Sequence, residues 1–215
     1  MKNLEPQDLL RFVVPEDIAL SPDGRTIYYV RQSIDVDDNR YIRCIMRIDR
    51  DTQREDALTQ GSRDQSPTPS PDGRHVAFLR TTDEDIATAF VLSLQGGEPH
   101  PLTDWSQDAA RPVWLPDGKR LVVEAALKDE QLPESLKQRR KADESRTPED
   151  RHTRDVRVIN RAFYRLDTHG YLDLERFTQL VELSLDGEIP PRVLTHGAYH
   201  HRQAAVHPSG HLPAY

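Results

Sequence analysis

A turn motif that recurs along the chain restricts the fold more than any other feature. Residues 21–25 read Ser-Pro-Asp-Gly-Arg, and related residues return at 70–74, at 115–119 and, in degraded form, at 207–211. The successive starts are 49, 45 and 92 positions apart, so the last step is about twice the others. Proline presets φ in such a turn, Asp hydrogen-bonds its own backbone, and Gly takes the positive φ that follows. A period of this length is typical of a β-propeller with four strands in each blade.

Strand patterns keep the same register as the turns. Apolar runs of β-branched or aromatic residues follow the first three turns, at 26–30, 75–79 and 121–125. A second strand is predicted in each unit, at 41–48, 88–94 and 177–185, and a third ends in Leu-Thr, at 58–59, 102–103 and 194–195. From that Thr to the next turn motif there are 11, 12 and 12 positions. Because two independent markers agree, the sequence predicts an all-β propeller of WD-like four-stranded blades.

The markers divide the chain into five predicted segments. They are an N-terminal helical segment at 1–16, blade 1 at 17–61, blade 2 at 62–105, blade 3 at 106–198, and the truncated start of blade 4 at 199–215. About three blades and the start of a fourth form an incomplete propeller, since closed rings have about 4–8 blades. The chain is therefore expected to be the amino-terminal part of a longer protein.

Blade 3 is predicted to contain an insertion at 127–175. Within it, residues 128–155 include 16 charged side chains, eight of each sign, and are too polar to pack as a propeller strand. We expect this stretch to be helical around 134–142. The alternative is a fourth, degenerate blade hidden in the doubled step. No second turn motif and no second Leu-Thr pair occur between 119 and 194, which favours the insertion.

Composition excludes several classes of function. The net charge of -7 argues against a general nucleic-acid binder, which would present a basic face. No apolar stretch approaches the roughly 20 residues of a membrane helix, so no membrane partner is predicted. The N-terminus lacks an apolar signal core, and Cys44 is the single cysteine. Together these features predict a cytoplasmic location.

Several residues could in principle bind a metal or nucleic acid or act as a nucleophile, but a structural role is the preferred interpretation of each. His207 and His211 have a spacing that could bind zinc on a helix, but Pro208 and Gly210 lie between them and favour a turn. The basic run at 137–141 could bind nucleic acid, yet the balanced charge around it favours a solvated helix face. Cys44 alternates with apolar residues in a strand and is interpreted as a small buried residue rather than a nucleophile. No catalytic, cofactor-binding or metal-binding residue is therefore predicted, and no cofactor.

The two tryptophans are predicted to be structural. Trp114 stands directly before the third turn motif, and by analogy with known propellers this position lies on an inner strand, where the side chain would pack between neighbouring blades. Trp105 is interpreted in the same way.

Three stretches together resemble one known family. Residues 8–12, Asp-Leu-Leu-Arg-Phe, precede the first turn motif, and the Leu-Thr and Pro-Asp-Gly elements repeat after it. Residues 158–165, Val-Ile-Asn-Arg-Ala-Phe-Tyr-Arg, lead to Gly-Tyr-Leu-Asp at 170–173. This combination resembles the acylaminoacyl-peptidase-like members of the prolyl oligopeptidase family over nearly the whole chain. TolB-like propellers share the Pro-Asp-Gly repeats, so the stretch from 161 to 173 is the more specific part.

The resemblance implies a division of labour. Family members place a β-propeller before a C-terminal α/β-hydrolase domain, whose Ser-Asp-His triad has its serine in a Gly-x-Ser-x-Gly turn. This chain contains no such sequence, and the nearest approach, Ser209, occupies a degraded propeller turn. The resemblance thus implies the non-catalytic propeller of a serine peptidase, inactive alone, that gates the entry of short peptides. The alternative is a stand-alone TolB-like propeller that binds a protein partner. The oligomeric state is not predicted.

Overall fold

The architecture is a row of three antiparallel sheets of four strands each. The computed structural model describes residues 5–83, 85–103, 108–128, 165–166, 170–171, 176–187, 189–197 and 199–210. Sheet 1 consists of β1 (Val14–Leu20), β2 (Thr26–Asp35), β3 (Arg40–Asp49) and β4 (Glu55–Ala57), in that order. Sheet 2 consists of β5 (Asp64–Pro69), β6 (His75–Thr81), β7 (Ala87–Ser93) and β8 (His100–Pro101), again in order.

Sheet 3 has the same order of strands with a long connection inside it. Its strands are β9 (Ala109–Trp114), β10 (Arg120–Lys128), β13 (Arg176–Ser184) and β14 (Arg192–Val193). β10 and β13 are direct neighbours from Arg120↔Ser184 to Lys128↔Arg176, so the connection leaves and rejoins the same sheet. Between them, β11 (Arg165–Leu166) pairs with β12 (Gly170–Tyr171). The helix predicted around 134–142 lies outside the described residues.

The first two elements lie close together along the chain. The N-terminal helix is a 3₁₀ helix, Pro6–Arg11, and β1 begins at Val14. A bulge interrupts the pairing of β1 with β2, so the strand lacks the alternation by which its start could be recognised. β10 continues through Leu127, which is 1% exposed, to Lys128.

The turn motif folds through its own side chains. The Ser21 N–H donates to the Thr26 carbonyl at 2.8 Å, and the Gly24 N–H donates to the Ser21 carbonyl at 2.9 Å. Gly24 has φ of 72°, a left-handed conformation that glycine adopts without penalty. The Ser21 hydroxyl donates to Asp23 Oδ1 at 2.6 Å, and this bond lowers the pKa of the carboxyl. Ser70 and Asp72 repeat this contact at 2.5 Å, so the recurring letters build recurring turns.

The Leu-Thr pair has a structural reason as well. The Leu58 N–H donates to the Ile45 carbonyl at 2.8 Å, while the Ile45 N–H donates to the Thr59 hydroxyl at 3.1 Å. Leu194 and Thr195 form the same pair of bonds with Leu180, at 2.8 and 2.9 Å. In sheets 1 and 3 the threonine hydroxyl thus satisfies a strand N–H where the outer strand has ended. In sheet 2 the Leu102 N–H donates to the Ala89 carbonyl at 2.8 Å, but the buried Thr103 hydroxyl has no hydrogen-bond partner among the described residues. The second sequence marker identifies the end of each short outer strand.

The core lies between the sheets rather than within one of them. Sheets 1 and 2 meet through Val30 and Ile45 on one side and Phe78 and Leu92 on the other. Sheets 2 and 3 meet through a larger cluster, whose buried members are Ala77, Leu79, Ala89, Val91, Ala109, Trp114, Leu121, Val123, Ala125, Leu127, Val181 and Leu183. Sheet 2 therefore has a buried apolar cluster on each of its faces, as successive propeller blades do.

A non-glycine residue with positive φ recurs ahead of every turn motif. Asp17, Ser66, Arg111 and Gln203 all have φ between 48° and 59°. Each stands five positions before the proline of its turn motif, so the bulge follows the same 49, 45 and 92 spacing. Non-glycine residues seldom adopt this conformation, and it persists only where surrounding contacts enforce it.

Carboxylates hold two of these bulges in place. Asp17 Oδ2 accepts the Ser66 N–H at 2.9 Å, which links the inner strands of sheets 1 and 2. Glu124 Oε1, nearly buried, accepts the Gln203 N–H at 2.6 Å. Residues 199–210 therefore follow the path of an inner strand beside sheet 3, where Ala204 and Val206 pack against its apolar face.

Replacing Glu124 with Ala is expected to release this last segment. The loss of the Gln203 contact leaves a strand N–H without its acceptor, which costs about 1–3 kcal/mol locally. We expect the Gln203 amide to exchange with deuterium at least about tenfold faster, while the Leu180 amide keeps its protection. Equal acceleration at both amides would mean that Glu124 stabilises sheet 3 as a whole and not this segment.

Candidate functional site

The edge that carries the turns forms a polar groove. Between the first two turns lies a cavity of ≈ 570 Å³, lined among others by Tyr28, Arg47, Asp23 and Asp72. The groove therefore offers charged and hydrogen-bonding side chains, and its two turn carboxylates are already engaged by the serines of their own turns.

Ser209 and His207 form a contact that resembles a catalytic serine–histidine pair but is part of the turn. His207 Nδ1 lies 2.8 Å from Ser209 Oγ and accepts the Ser209 N–H at 3.1 Å. In the motif, these two residues occupy the positions of Ser21 and Asp23, which form the equivalent side-chain contact. The Gly210 N–H closes the turn on the His207 carbonyl at 2.8 Å. The contact is therefore the degraded form of a turn bond that recurs along the chain.

We expect Ser209→Ala to leave covalent labelling by a fluorophosphonate probe unchanged. The residue is exposed in a turn, and a triad would need a third group that orients the histidine. Intact mass after labelling of the variant and of the unaltered protein tests this directly. Loss of the label on this substitution alone would show that Ser209 is a nucleophile.

The His200 side chain contacts the start of β13. His200 Nδ1 accepts the Thr178 N–H at 3.1 Å, and its ring lies 5.5 Å from that of Phe177. Among the residues that the structure describes, no three His, Cys, Asp or Glu side chains converge as a metal site requires. His211, the basic run at 137–141 and Trp105 lie outside that part of the chain.

Cys44 is half-buried rather than fully buried. Its sulfur lies 3.8 Å from the Met46 sulfur on the same face of sheet 1. Burial raises the pKa of the Cys44 thiol, which disfavours the thiolate that a nucleophile needs. The preference for a packing role over a catalytic one agrees with this geometry.

Trp114 lies where the sequence predicted, at the junction of sheets 2 and 3. Its side chain is 6% exposed, and its indole Nε1–H donates to the Thr68 carbonyl at 2.8 Å. The His75 ring lies 6.4 Å away. The residue therefore fastens two inner strands to each other by packing and by one hydrogen bond.

A buried ion pair at the junction of sheets 1 and 2 was not predicted. Arg80 Nε and Nη2 donate to the two oxygens of Asp64 at 2.6 and 2.9 Å. The Asp64 side chain is fully buried, and the guanidinium carbon of Arg80 lies 5.3 and 5.0 Å from the ring centroids of Phe78 and Phe90. The hydrogen bond with Asp64 raises the pKa of Arg80. The signal in the sequence was an acidic first residue of β5 opposite an arginine near the end of β6.

Comparison with known proteins gives one relative in sequence and several in structure. The chain is 31% identical over 127 residues to a Bacillus subtilis (strain 168) protein named uncharacterized peptidase YuxL. The matched residues make up 59% of this chain and 19% of the relative. It superposes with a TM-score of 0.63 and 16% identity on an acylaminoacyl peptidase in complex with Z-Gly-Gly-Phe-chloromethyl ketone, over 86% of this chain and 25% of that one. No known family model matches the sequence.

The predicted resemblance to acylaminoacyl-peptidase-like proteins is confirmed. The all-β propeller class is confirmed with it. TolB from Acinetobacter baumannii shares the fold too, with a TM-score of 0.54 and 16% identity over 92% of this chain and 36% of that one. The chain spans about a fifth of the length of its peptidase relative and a quarter of that of the peptidase structure. In the part of the chain with assigned structure, no helix is long and apolar enough to cross a membrane.

Proposed function

We propose that the chain is the amino-terminal, non-catalytic propeller portion of a serine peptidase that hydrolyses short peptides. The observation that carries this proposal is the similarity to a protein named a peptidase, in which the 127 matched residues make up only 19% of the length. The absence of a Gly-x-Ser-x-Gly sequence from these residues supports it, because the nucleophile must then come from elsewhere. The proposed partner is a C-terminal α/β-hydrolase domain of the same protein.

The proposed chemistry belongs to that partner. A serine would attack the peptide carbonyl, a histidine would take its proton, and backbone N–H groups would stabilise the oxyanion. In this proposal, residues 1–215 restrict access to the active site and contribute no catalytic group. Stacked sheets around rigid inner strands restrict what reaches a covered active site, so we propose that the propeller selects short or unfolded peptides by size.

Activity-based labelling tests the peptidase assignment. The native protein is treated in lysate with a fluorophosphonate probe, and its intact mass and tryptic peptides are then measured. We expect a labelled species far heavier than 24.7 kDa that yields peptides of this chain and carries the label beyond residue 215. An unlabelled species at 24.7 kDa would overturn the assignment.

A length series of peptide substrates tests the gating role. Peptides with one scissile bond in a constant sequence context are extended from about 4 to about 40 residues. With size selection by the propeller, kcat/KM is expected to fall steeply beyond a threshold length, while the shortest peptides keep a constant value. Cleavage that is independent of length would remove the gating role and leave the peptidase assignment intact.

A protein-interaction module is the second candidate function. The TolB likeness, with a TM-score of 0.54, favours it, because TolB shares the propeller over most of this chain. The two candidates differ in the labelling experiment, since an interaction module has no activated serine to react with the probe.

A further inference from the structure

The cavity between the first two turns lies where the repeat exchanges a large side chain for a small one. Between sheets 2 and 3, Trp114 packs on sheet 2 beside Ala77. One unit earlier, Pro69 stands at the position of Trp114, two residues before the proline of its turn motif. Proline cannot fill the same space, and a cavity of ≈ 570 Å³ lies there, lined among others by Tyr28, the counterpart of Ala77.

The turn glycines show the same difference in spacing. A Cβ atom added to Gly118 of the third turn would lie 3.3 Å from Asp72 Cγ. A Cβ atom added to Gly73 would have no atom of the described residues within 4 Å, although Asp23 precedes it in the repeat as Asp72 precedes Gly118. The first two turns therefore stand further apart than the second and third, and Asp23 borders the space between them.

Tyr28 brings to this cavity a hydroxyl that the fold does not use. The side chain is 3% exposed, yet its hydroxyl forms no hydrogen bond with any residue that the structure describes. Its counterparts Ala77 and Val122 are fully buried and apolar, so the repeat requires no polar group at this position. Burial raises the pKa of Tyr28, the charge of Arg47 lowers it and that of Asp23 raises it, so the hydroxyl lies near both charges. Buried hydroxyls are normally hydrogen-bonded, and this one is available to a ligand.

The charges around the cavity favour a cationic ligand. Arg47 is already neutralised, because its Nε donates to Asp56 Oδ2 at 2.9 Å and its Nη2 lies 2.8 Å from the same oxygen. Asp23 and Asp72 each use only Oδ1 within their turns, where it accepts the serine hydroxyl and the N–H two residues further on. The serine bonds lower the pKa of both carboxyls, so both are charged at neutral pH. Oδ2 of each is left to accept a bond from a bound cation.

The lining suits an organic cation better than a metal ion. Within the described part of the chain no three His, Cys, Asp or Glu side chains converge, and two carboxylates on separate turns would leave most positions around a divalent ion unfilled. Pro22, Pro71 and Leu94 add apolar surface beside the carboxylates. A positive group on an alkyl stem matches both features, because its stem covers apolar surface while its head reaches a carboxylate.

We propose that this cavity binds an alkyl guanidinium or ammonium group, of the kind that arginine and lysine side chains carry, through the Asp23 carboxylate and the Tyr28 hydroxyl oxygen. Asp72 and Pro71 form the wall on the side of the second turn, so the group lies between two turns rather than on one of them. The proposal rests on the packing of sheets 1 and 2 and is independent of the peptidase assignment.

Calorimetric titration with matched ligands tests the requirement for charge. The whole protein is first treated with the fluorophosphonate probe, so that hydrolysis does not consume the ligands, and is then titrated at low ionic strength. N-acetyl-arginine amide is compared with N-acetyl-citrulline amide, which has nearly the same shape without the charge. We expect the arginine derivative to bind at least about tenfold more tightly, because only it forms a charge-assisted hydrogen bond. Equal affinities would overturn the proposal.

Three substitutions test the location of the site. Asp23→Asn removes the charge but keeps an oxygen that can accept from Ser21, and Tyr28→Phe removes only the hydroxyl. We expect the affinity for N-acetyl-arginine amide to fall at least about tenfold for Asp23→Asn and about threefold to tenfold for Tyr28→Phe. Asp117→Asn makes the same change in the third turn and should leave the affinity unchanged. Because Tyr28→Phe leaves the turn intact, an unchanged affinity in this variant would overturn the site even if Asp23→Asn fails to fold.

Competition distinguishes two sources of the bound group. N-acetyl-arginine amide is displaced either by spermidine, a free polyamine, or by the peptide acetyl-Gly-Gly-Arg-Gly-Gly-amide. Tighter binding of the peptide would assign the cavity to polypeptide side chains, and tighter binding of spermidine would assign it to free amines. Displacement by neither would overturn the proposal. The probe reports an activated serine and the titration reports the cavity, so a failure of the peptidase assignment is distinguishable from a failure of this one.

Discussion

Replacing Arg80 with Met is expected to lower the free energy of unfolding by about 3–5 kcal/mol, because it leaves the Asp64 carboxylate buried without its partner. The Asp64 side chain has no exposed area and accepts two hydrogen bonds from the guanidinium. Methionine can still fill the space over Phe78 and Phe90, so the loss reports the ion pair rather than a cavity. Urea unfolding followed by far-UV circular dichroism measures the change.

The double variant Asp64→Ala/Arg80→Met provides the control. Asp64→Ala alone is expected to cost less, since the Arg80 side chain is 25% exposed and can reach water. The double variant should lose less stability than the two single losses combined, by about 0.5–3 kcal/mol. Strict additivity would show that the two side chains do not stabilise the junction as a pair.

Truncating Trp114 to Ala is expected to cost about 3–5 kcal/mol, because it removes a large buried side chain and leaves a cavity between sheets 2 and 3. The indole packs in the cluster that includes Leu121 and Val123, and its N–H bonds the Thr68 carbonyl. The midpoint of urea unfolding should move accordingly. An unchanged midpoint would mean that the junction does not limit stability.

Trp114→Phe separates the two contributions. Phenylalanine keeps most of the apolar contact but cannot donate to Thr68, so its cost should be about 0.5–1.5 kcal/mol from the hydrogen bond plus a smaller packing loss. A loss as large as that of Trp114→Ala would place the main contribution in the hydrogen bond.

Turns and strands were predictable because their causes are local. Serine, aspartate and glycine of the motif fold their own turn through contacts within five residues, as the bonds of Ser21 to Asp23 and Thr26 show. The Leu-Thr pair was recognisable in the sequence for a similar reason. The Thr59 hydroxyl accepts a strand N–H in place of a strand carbonyl, and it does so at a fixed position of the repeat. The peptidase resemblance needed more than these repeated elements, because its most specific part is the stretch from 161 to 173.

The bulges and the start of β1 were not predictable in the same way. The four residues with left-handed φ are of different types, so no single amino acid marks the position in the sequence. They are Asp17, Ser66, Arg111 and Gln203. In two cases, Ser66 and Gln203, a carboxylate from a distant part of the chain accepts the N–H of the residue with positive φ. Such contacts join residues 49 and 79 positions apart.

The sequence alone determined the period, the turns, the all-β class and the likeness to peptidase propellers, because each can be recognised from short stretches of residues that are close together along the chain. Only the tertiary structure decided which faces are buried. Three features depend on which sheets are neighbours. They are the burial of the Asp64–Arg80 ion pair, the packing of Trp114 on sheet 2 and the exposure of Ile18. Burial is a property of neighbouring sheets, and residues at equivalent positions of the repeat differ in exposure because their neighbours differ.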